Sequence, residues 1–490
     1  MKINPSIFRA YDIRGIYPDD LNERVAYLIG SAFVKFLGGS NLNIVVGRDN
    51  RLSSPSLFSA LTRGIIAQGA NVIDIGLSTT PMLYFATAYF KSDGGIEISA
   101  SHNPPQYNGF KLVKKEAIPI GEKSGIKEIK GLVLGARFKS SKKGKIIKKK
   151  VIKEYLKFNL RNFDLGGSEA KALLPPLEKM KPLKIVIDTA NAVAGILIPK
   201  IFGRPLSKKR KFFRNLNFKI YHLFPKLDGN FPGHFPDPLI KENLRALQKE
   251  VKNKKANLGV AFDGDGDRII FLDERGEVIP GDLITALLSK IILKEKPGKK
   301  ILYDVRSSNV VGETIKDSGG TPIVSRIGHT FIKEKMREKD IFFAGEFSGH
   351  YYLKEQYFCE APIFVLLKIL EIISSTGKNL SELILPFKKY FHSGEINFNE
   401  INNKFLFREE SEIKNKNKIL EIMEKKYKNG KINYLDGVRI DFKNWWFLVR
   451  PSQTEPVLRL VIEARTKEIF EEKKKELIEL IKSFSLGQRN

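Results

Sequence analysis

Cysteine and long apolar runs are both scarce in this sequence. Its 490 residues include a single cysteine, Cys359, and one cysteine cannot build an internal disulfide framework. No run approaches the roughly 18 consecutive apolar residues that a transmembrane helix needs, and the first residues lack the apolar segment of a secretory signal. These absences disfavour a disulfide-stapled secreted scaffold and an integral membrane protein, so we expect a soluble cytoplasmic protein.

Acidic residues are few relative to basic ones. The chain has 55 Asp and Glu against 84 Lys and Arg, which gives a formal net charge of +29. Such an excess indicates either an anionic partner or a lysine-rich solvated surface. The densest basic runs, 139–150 and 208–214, lie in no recognisable nucleic-acid module. We therefore expect no specific nucleic-acid partner and no membrane partner, while incidental polyanion binding stays open.

The length and the hydrophobic pattern predict several domains. A chain of 490 residues is too long for one core and suggests about three to four domains. Strand patterns alternate with helical patterns through the first three quarters, as in βαβ units. The predicted strands are 43–47, 71–75, 95–99, 183–188, 258–263, 300–304 and 341–344, with the first helices at 56–68 and 81–90.

The last quarter of the chain has a different pattern. Helical patterns cover 409–428 and 467–483, and strand patterns cover 438–442, 446–449 and 457–464. This order is typical of a smaller α+β domain. The sequence therefore predicts three similar α/β rounds followed by a smaller α+β domain, with soft boundaries near 150–160, 275 and 376–378.

A serine lies on a turn that follows the third predicted strand. Ser101 and His102 precede Asn103, Pro104 and Pro105, and open α/β sheets usually bind ligands beyond the carboxyl ends of their strands. By itself such a turn is more typical of a structural role. A hydrolase pair of Ser101 and His102 is disfavoured, because adjacent residues rarely face each other and no G-x-S-x-G elbow is present.

Three aspartates at alternate positions follow another predicted strand. They are Asp263, Asp265 and Asp267, with glycines between them. Carboxylates at this density repel one another and favour a hard divalent cation. An EF-hand loop is disfavoured because Arg268 occupies the position where that loop needs glycine, and a purely structural acidic turn is the other alternative. Together with Ser101, the cluster favours phosphoryl transfer, which relies on positioning and charge neutralisation.

Five segments of the chain resemble the α-D-phosphohexomutase family, and specifically its bacterial phosphomannomutase/phosphoglucomutase branch. In chain order they are FRAYDIRG (8–15), SASHNPPQYNGFK (99–111), DGDGDR (263–268), GEFSGH (345–350) and RPSQTEP (450–456). The resemblance implies three successive mixed-sheet α/β domains of similar topology plus a smaller C-terminal α+β domain around a central cleft. We expect domain limits of 1–158, 159–276, 277–377 and 378–490, with a hinge near 376–380.

The resemblance also implies roles for individual residues. Ser101 would be a phosphoserine and, with Asp263, Asp265 and Asp267, would hold Mg²⁺. Other catalytic residues would be Arg14, His102, Lys111, Arg268 and His329; among them Arg14, Lys111 and His329 are candidates for proton transfer. Substrate-binding residues would be Tyr11, Glu346, Ser348 and His350 around the sugar, and Arg450, Ser452, Gln453 and Thr454 around the non-reacting phosphate.

The activity implied is the interconversion of hexose 6-phosphate and hexose 1-phosphate, of mannose, glucose or both. Hexose 1,6-bisphosphate would be the intermediate and activator, small-molecule hexose phosphates the partners, and the protein a monomer. Two alternatives stay open. A phosphoglucosamine mutase is disfavoured by Phe347, where that relative usually carries glutamine. The other is a non-catalytic polyanion-binding protein on a mutase scaffold.

The chain departs from the family pattern at three places. Gln453 stands where a small residue is usual in the phosphate loop, and Arg306 stands where lysine is common. The segment 204–219 is a basic extension in the predicted second domain. We expect these departures to alter affinity more than activity.

Overall fold

The computed structural model describes residues 3–135, 138, 143–163, 181–203, 218–398, 400–401, 404–405, 411–452 and 457–486. Within these ranges the strands form three mixed sheets, one antiparallel sheet and a two-stranded hairpin, in chain order. The prediction of three α/β rounds followed by an α+β unit is therefore confirmed. Most of the basic extension 204–219 lies outside the described residues.

The first sheet combines parallel and antiparallel strands. Its strands are β1 (Ile13–Ile16), β2 (Asn43–Arg48), β3 (Asn71–Leu77), β4 (Gly94–Ile98), β5 (Tyr107–Lys114) and β6 (Ile146–Lys148). The order across the sheet is β1-β5-β4-β2-β3-β6. Strands β3, β2 and β4 run parallel, and β5 returns antiparallel to β4.

The second and third sheets repeat this arrangement. The second contains β7 (Lys184–Asp188), β8 (Lys219–Leu223), β9 (Leu258–Phe262), β10 (Ile269–Leu272) and β11 (Val278–Ile279). The third contains β12 (Lys300–Asp304), β13 (Thr321–Ser325), β14 (Phe343–Gly345), β15 (Tyr351–Leu353) and β16 (Cys359–Glu360). Their orders are β8-β7-β9-β10-β11 and β13-β12-β14-β15-β16.

One consequence of the shared topology is that three loops occupy equivalent places. In each sheet the third parallel strand turns into an antiparallel partner, at β4–β5, β9–β10 and β14–β15. The first of these loops carries Ser101, the second carries the three aspartates, and the third carries Glu346. Because strands flank the acidic loop on both sides, the EF-hand alternative, which needs helices there, is wrong.

The fourth sheet is antiparallel throughout. It contains β17 (Phe391–His392), β18 (Ile396–Phe398), β21 (Lys431–Asn433), β22 (Val438–Asp441), β23 (Trp445–Pro451) and β24 (Leu458–Ala464), and the hairpin is β19 (Glu400–Ile401) with β20 (Lys404–Phe405). Strand β24 lies at its centre, between β23 and the two short strands β17 and β18.

Helices cover the sheets. They are α1 (Glu23–Phe36), α2 (Ser54–Ala67), α3 (Thr80–Tyr89), α4 (Lys127–Gly135), α5 (Ile152–Phe163), α6 (Ile198–Phe202), α7 (Arg245–Lys254), α8 (Gly281–Glu295), α9 (Asn309–Asp317), α10 (His329–Lys339), α11 (Pro362–Thr376), α12 (Leu380–Ile384), α13 (Ser411–Lys426) and α14 (Lys467–Leu486). No helix among the described residues combines the length and apolar character that crossing a bilayer requires.

The first three regions share one continuous apolar core, whereas the fourth has its own. Phe85, Ile187 and Leu366, one from each of the first three regions, belong to a single cluster of buried side chains. The fourth sheet packs with α13 and α14 around Phe447. Among the described residues, a small apolar cluster around Trp446 joins the third and fourth regions. An interface of this kind permits relative motion of the fourth region.

Candidate functional site

Ser101 lies in a strained and buried turn. Its φ of +50° places it in the left-handed region that residues other than glycine rarely adopt. Its backbone N–H donates to Ser99 Oγ at 3.0 Å, and its own Oγ donates to Asp263 Oδ2 at 2.8 Å. The turn therefore directs the hydroxyl out of the first region and onto the acidic loop of the second.

Arg51, which we did not predict as a site residue, holds the Ser101 loop in shape. Its side chain is fully buried and pairs with Asp49 at 3.1 Å. The guanidinium donates to four loop carbonyls, those of Ser101 (2.8 Å), Asn103 (2.6 Å), Pro104 (2.7 Å) and Tyr107 (3.1 Å). The sequence did offer a signal for Arg51. It follows the buried strand β2, and the carboxyl end of β2 lies beside that of β4, which leads into the Ser101 loop.

The glycines of the acidic loop are required by its geometry. A Cβ on Gly264 would lie 2.2 Å from the carbonyl oxygen of Ser101, and Gly266 has a φ of +67°. Asp263 Oδ1 accepts the backbone N–H groups of Asp267 and Arg268, both at 3.1 Å. The alternation of aspartate and glycine therefore lets the two loops approach while the carboxylates converge.

Two residues of the first region complete the acidic loop. Lys111 Nζ donates to Asp265 Oδ2 at 2.5 Å and to Asp267 Oδ2 at 2.6 Å, and the Thr80 hydroxyl donates to Asp265. Burial opposes the charge on Lys111, but the carboxylates of Asp265 and Asp267 outweigh burial and raise the pKa of Lys111. Three carboxylates and one ammonium leave two negative charges in the cluster.

The donor set of this loop fits a divalent cation. Asp265 Oδ1 and Asp267 Oδ1 are buried and have no hydrogen-bond partner. One oxygen of each of the three aspartates lies within 4.8 Å of the others. Burial, reinforced by Asp267 and Asp265, raises the pKa of Asp263 well above its usual range. A hard cation with oxygen ligands would relieve this repulsion and satisfy the two orphaned oxygens.

Arg268 and His350 connect the acidic loop to the third region. Arg268 Nε donates to His350 Nε2 at 3.0 Å, and His350 Nδ1 lies 3.5 Å from Asp267 Oδ1. Burial and the nearby Arg268 cation lower the pKa of His350 well below its usual range. The structure places the His350 ring between Arg268 and the acidic loop, and its predicted position beside the sugar stays a prediction.

His329 begins helix α10 and faces the first region. Its ring meets Tyr11 edge to face at a centroid distance of 5.3 Å. Its Nδ1 lies 4.0 Å from Glu360 Oε1 and makes no hydrogen bond. Burial, followed by the cations Lys333 and Lys111, lowers the pKa of His329 well below its usual range. Burial thus favours the uncharged form of the His329 ring, and its Nδ1 lies unpartnered at the start of α10.

Arg14 and His102 lie at the serine turn. Arg14 donates through Nη1 to Asn103 Oδ1 and through Nη2 to Asp12 Oδ2, both at 2.5 Å. His102 Nδ1 lies 3.2 Å from Ser101 Oγ. Burial and then Arg268 lower the pKa of His102 well below its usual range. The structure thus brings both residues to the serine turn.

Glu346 and Ser348 lie on the third equivalent loop. Both residues are buried. Tyr352 donates its hydroxyl to Glu346 Oε1 at 2.5 Å, and Arg306 Nη2 lies 3.5 Å from Glu346 Oε2. Burial, with Asp304 next in importance, raises the pKa of Glu346 to about 7.

Arg450 closes the far end of the site. It is the penultimate residue of strand β23, is buried, and donates through Nη2 to Glu395 Oε1 at 3.0 Å. The backbone N–H of Ser452 donates to the Val457 carbonyl at 2.9 Å. Gln453 and Thr454 lie outside the described residues, so their predicted roles stay predictions.

Sequence comparison identifies the family. Models of phosphoglucomutase/phosphomannomutase α/β/α domains I, II and III match residues 5–139, 168–276 and 280–390, and the model of the C-terminal domain matches 407–480. A phosphomannomutase of Methanocaldococcus jannaschii is 40% identical over 97% of this chain and 97% of its own length. The chain belongs to the phosphoglucomutase/phosphomannomutase family.

A further relative and two solved structures also align with nearly the whole chain. A phosphomannomutase of Vibrio cholerae is 36% identical over 98% of this chain and 99% of its own. The crystal structure of a family protein from Burkholderia thailandensis aligns with a TM-score of 0.81 at 30% identity, covering 99% of each chain. The N-acetylphosphoglucosamine mutase of Aspergillus fumigatus, solved with GlcNAc-6P and magnesium, shares the fold with a TM-score of 0.57 at 14% identity, over 96% of this chain and 94% of its own.

Within this family fold, polar contacts link all four regions. Ser101 contacts Asp263, Arg268 contacts His350, and Arg306 lies between Glu346 and Glu395, which in turn binds Arg450. These contacts connect the Ser101 loop, the acidic loop, the Glu346 loop and Arg450 in one series. Arg51, Thr80 and Glu395 are the members that sequence reasoning missed.

Replacing Arg51 with lysine tests the loop scaffold. An ammonium group cannot bind four divergent carbonyls, so the Ser101 loop should lose its fixed geometry. We expect kcat to fall by roughly 100-fold with a smaller change in KM, measured by steady-state mutase assay. Arg48→Lys is the matched control, since Arg48 pairs with Asp74 at 2.9 Å and touches none of these carbonyls. Equal activity of the two variants would contradict the scaffold role.

Proposed function

We propose that this chain is a phosphohexomutase that interconverts the 6-phosphates and 1-phosphates of mannose, glucose or both. The observation that carries the proposal is the contact of Ser101 Oγ with Asp263 at 2.8 Å, in a cleft whose far end carries the buried Arg450. A transferable phosphoryl group at one end and a phosphate anchor at the other suit a sugar with two phosphorylation sites. Relatives named phosphomannomutase at 40% and 36% identity support the sugar class.

In the proposed reaction Ser101 carries the phosphoryl group. A sugar hydroxyl attacks the phosphorus, the bond to Ser101 Oγ breaks, and the hydroxyl proton passes to a base. The resulting hexose 1,6-bisphosphate reverses its orientation in the cleft, and Ser101 then takes the other phosphoryl group. A bisphosphate supplied from outside would act as activator by phosphorylating an empty Ser101.

His329 is the base that the electrostatics favour. Of the three candidates for proton transfer, Lys111 is held protonated by Asp265 and Asp267, and Arg14 is a guanidinium bound to Asp12. His329 has an unpartnered Nδ1, and burial lowers its pKa, which favours the uncharged ring that can accept a proton. Lys111, Arg14, Arg268 and His102 would instead stabilise charge on the moving phosphoryl group.

Asp263, Asp265 and Asp267, together with a phosphate oxygen on Ser101, would hold Mg²⁺. The cation would supply Lewis-acid neutralisation of the phosphoryl oxygens. The two net negative charges of the cluster match its charge. Asp265 and Asp267 would each offer an orphaned oxygen, and Asp263 Oδ2 would exchange the Ser101 hydroxyl for the cation once Ser101 carries a phosphoryl group.

The remaining predicted residues would bind the substrate. Glu346 and Ser348 would form hydrogen bonds with sugar hydroxyls, beside Tyr11 and His350. The non-reacting phosphate would be held by Arg450, Ser452, Gln453 and Thr454.

We place the limit between the third and fourth domains near residue 390, because α12 packs on α8 and the fourth sheet begins at Phe391. We further propose a monomer that acts in the cytoplasm.

A coupled assay tests the function. The purified protein is offered glucose, mannose or glucosamine 1-phosphate, with Mg²⁺ and a trace of hexose 1,6-bisphosphate. We expect 6-phosphate to form from glucose and mannose 1-phosphates, because a clamp that does not contact C2 cannot distinguish them. Turnover of glucosamine 1-phosphate alone would favour the phosphoglucosamine mutase alternative and contradict the proposal.

Substrate affinity should depend on the ionisation of Glu346. Its pKa is raised to about 7, so the carboxylate that accepts sugar hydroxyls is present above this pH and is lost as the pH falls below it. If only the ionised form binds, KM should rise about tenfold between about pH 8 and pH 6. The measurement is KM against pH for the native protein and for Glu346→Gln.

The Glu346→Gln variant separates this effect from titration of the substrate phosphate. Its KM should be high at both pH values, and the pH dependence that remains belongs to the substrate. Parallel pH profiles for the two proteins would show that Glu346 does not titrate in the binding step.

A further inference from the structure

A cluster of charges lies where the third and fourth domains meet. Glu395, just before β18, accepts hydrogen bonds from Arg306 Nη1 and Arg450 Nη2, each at 3.0 Å. Arg459 Nη1 lies 3.6 Å from Glu395 Oε2. Arg306 follows β12 in the third domain, whereas Arg450 and Arg459 lie on β23 and β24 of the fourth. A single carboxylate therefore bridges guanidinium groups of two domains.

The segment that carries Glu395 docks on the loop that carries Glu346. The His392 ring stacks on Phe347 at a centroid distance of 5.2 Å, and His392 Nε2 lies 2.9 Å from the carbonyl oxygen of Arg306. Arg306 Nη2 also lies 3.5 Å from Glu346 Oε2. The Arg306 guanidinium thus contacts both Glu346 and Glu395.

Glu395 lies among three guanidinium groups. Asp304 already pairs with Arg306 at 2.7 Å, and Glu395 faces Arg450 and Arg459. The pKa of Glu395 is lowered to about 2: burial opposes this, but Arg306, Arg450 and Arg459 outweigh burial. Glu395 therefore stays ionised, and without it these cations would repel one another in a poorly solvated site.

We propose that Glu395 is a positioning residue that holds Arg450 and Arg306 together, so that the distal phosphate site and the sugar clamp are set in place as one unit. Glu395 does not contact the reacting atoms; it acts through the two arginines. The inference rests on the proposed function, since it assumes that Arg450 binds the non-reacting phosphate. It differs from a role in domain folding, because the fourth domain has its own apolar core.

Binding measurements on a protein that cannot turn over test this role. In a Ser101→Ala background, titration calorimetry with mannose 1-phosphate should show binding at least about tenfold weaker for Glu395→Gln, equivalent to about 1.4 kcal/mol. Arg306→Gln should weaken binding to a similar extent. The double variant should resemble either single variant instead of multiplying their effects, because both changes break the same coupling.

A matched control uses another carboxylate between the third and fourth domains. Glu313 accepts a hydrogen bond from Tyr390 and lies 3.4 Å from Lys389 Nζ, outside the proposed binding residues. Glu313→Gln should bind as tightly as its background. In proteins that retain Ser101, Glu395→Gln should raise KM about tenfold while kcat stays within about threefold, and Glu395→Asp should recover part of the KM. A purely structural defect would lower the melting temperature and kcat together.

Two results would overturn the inference. Unchanged binding by Glu395→Gln would mean that the carboxylate does not position the arginines. Tighter binding would mean that the carboxylate competes with the substrate phosphate for them. Failure of the proposed function is distinguishable, because it would appear as a native protein without mutase activity, whereas failure of this inference requires an active native protein.

Discussion

Replacement of Ser101 with alanine should lower mutase activity by at least about a thousandfold. The side chain that carries the phosphoryl group is lost, and no other described hydroxyl contacts Asp263. Binding of hexose phosphates should persist, because Glu346 and Arg450 are unchanged. The measurements are the coupled mutase assay, calorimetric binding, and intact mass, which should show one phosphoryl group on the native protein and none on the variant.

Ser92→Ala is a suitable control. Ser92 is also buried in the first domain, but its hydroxyl has no hydrogen-bond partner and lies at the amino end of β4, away from the Ser101 loop. It should keep native activity and its phosphoryl group. Mutase activity that survives in Ser101→Ala would contradict the phosphoserine mechanism, whereas loss of activity with retained polyanion binding is the expected result.

Removal of the divalent cation should abolish activity reversibly. A chelator would leave three buried carboxylates that face one another beside Lys111 and Arg268, and Mg²⁺ should restore turnover. Because the cation binds the folded state, Mg²⁺ at about 100 times its Kd should stabilise the protein by about 2.7 kcal/mol. The measurements are activity and melting temperature during chelation and re-addition of Mg²⁺.

Asp265→Asn should remove most of this response. Asp265 supplies one orphaned oxygen and binds both Lys111 and Thr80, so the variant loses a ligand and one of the two net negative charges. We expect activity to fall by roughly 100-fold or more and the stabilisation by Mg²⁺ to shrink. Asp273→Asn controls for loss of a buried carboxylate in the same domain, and its response to Mg²⁺ should persist. An Asp265→Asn protein stabilised as strongly as the native one would place the cation elsewhere.

Much of the fold could be predicted because it follows from short-range pattern. Apolar runs at 43–47 and 258–263 alternate with helical patterns, and they correspond to β2 and β9. Boundaries shifted by a few residues, as at the predicted helix 409–428, where α13 spans Ser411–Lys426. What local pattern could not reveal is that β4–β5, β9–β10 and β14–β15 are equivalent hairpins, since strand order depends on pairing across the sheet.

The candidate site also has parts that the sequence predicts and parts that require the structure. Ser101 and the three aspartates could be predicted as candidates because a turn after a strand, and carboxylates separated by glycines, have few uses. The need for glycine at position 264 depends on the tertiary structure, because a Cβ there would lie 2.2 Å from the carbonyl oxygen of Ser101. The roles of the remaining predicted residues stay predictions, which the variants above test.

The sequence by itself determined which chemical groups are available and in what order: a serine on a stiff turn, three alternating carboxylates, a Glu-x-Ser turn and an Arg-x-Ser turn. Only the tertiary structure decided which groups meet. Lys111 pairs with Asp265 and Asp267 of another domain, Arg51 binds four carbonyls of the serine loop, and Glu395 bridges Arg306 and Arg450. The physical reason is that hydrogen bonds require contact distances and Coulomb energies weaken as the distance grows, so both depend on how domains pack and leave no periodic trace in the chain.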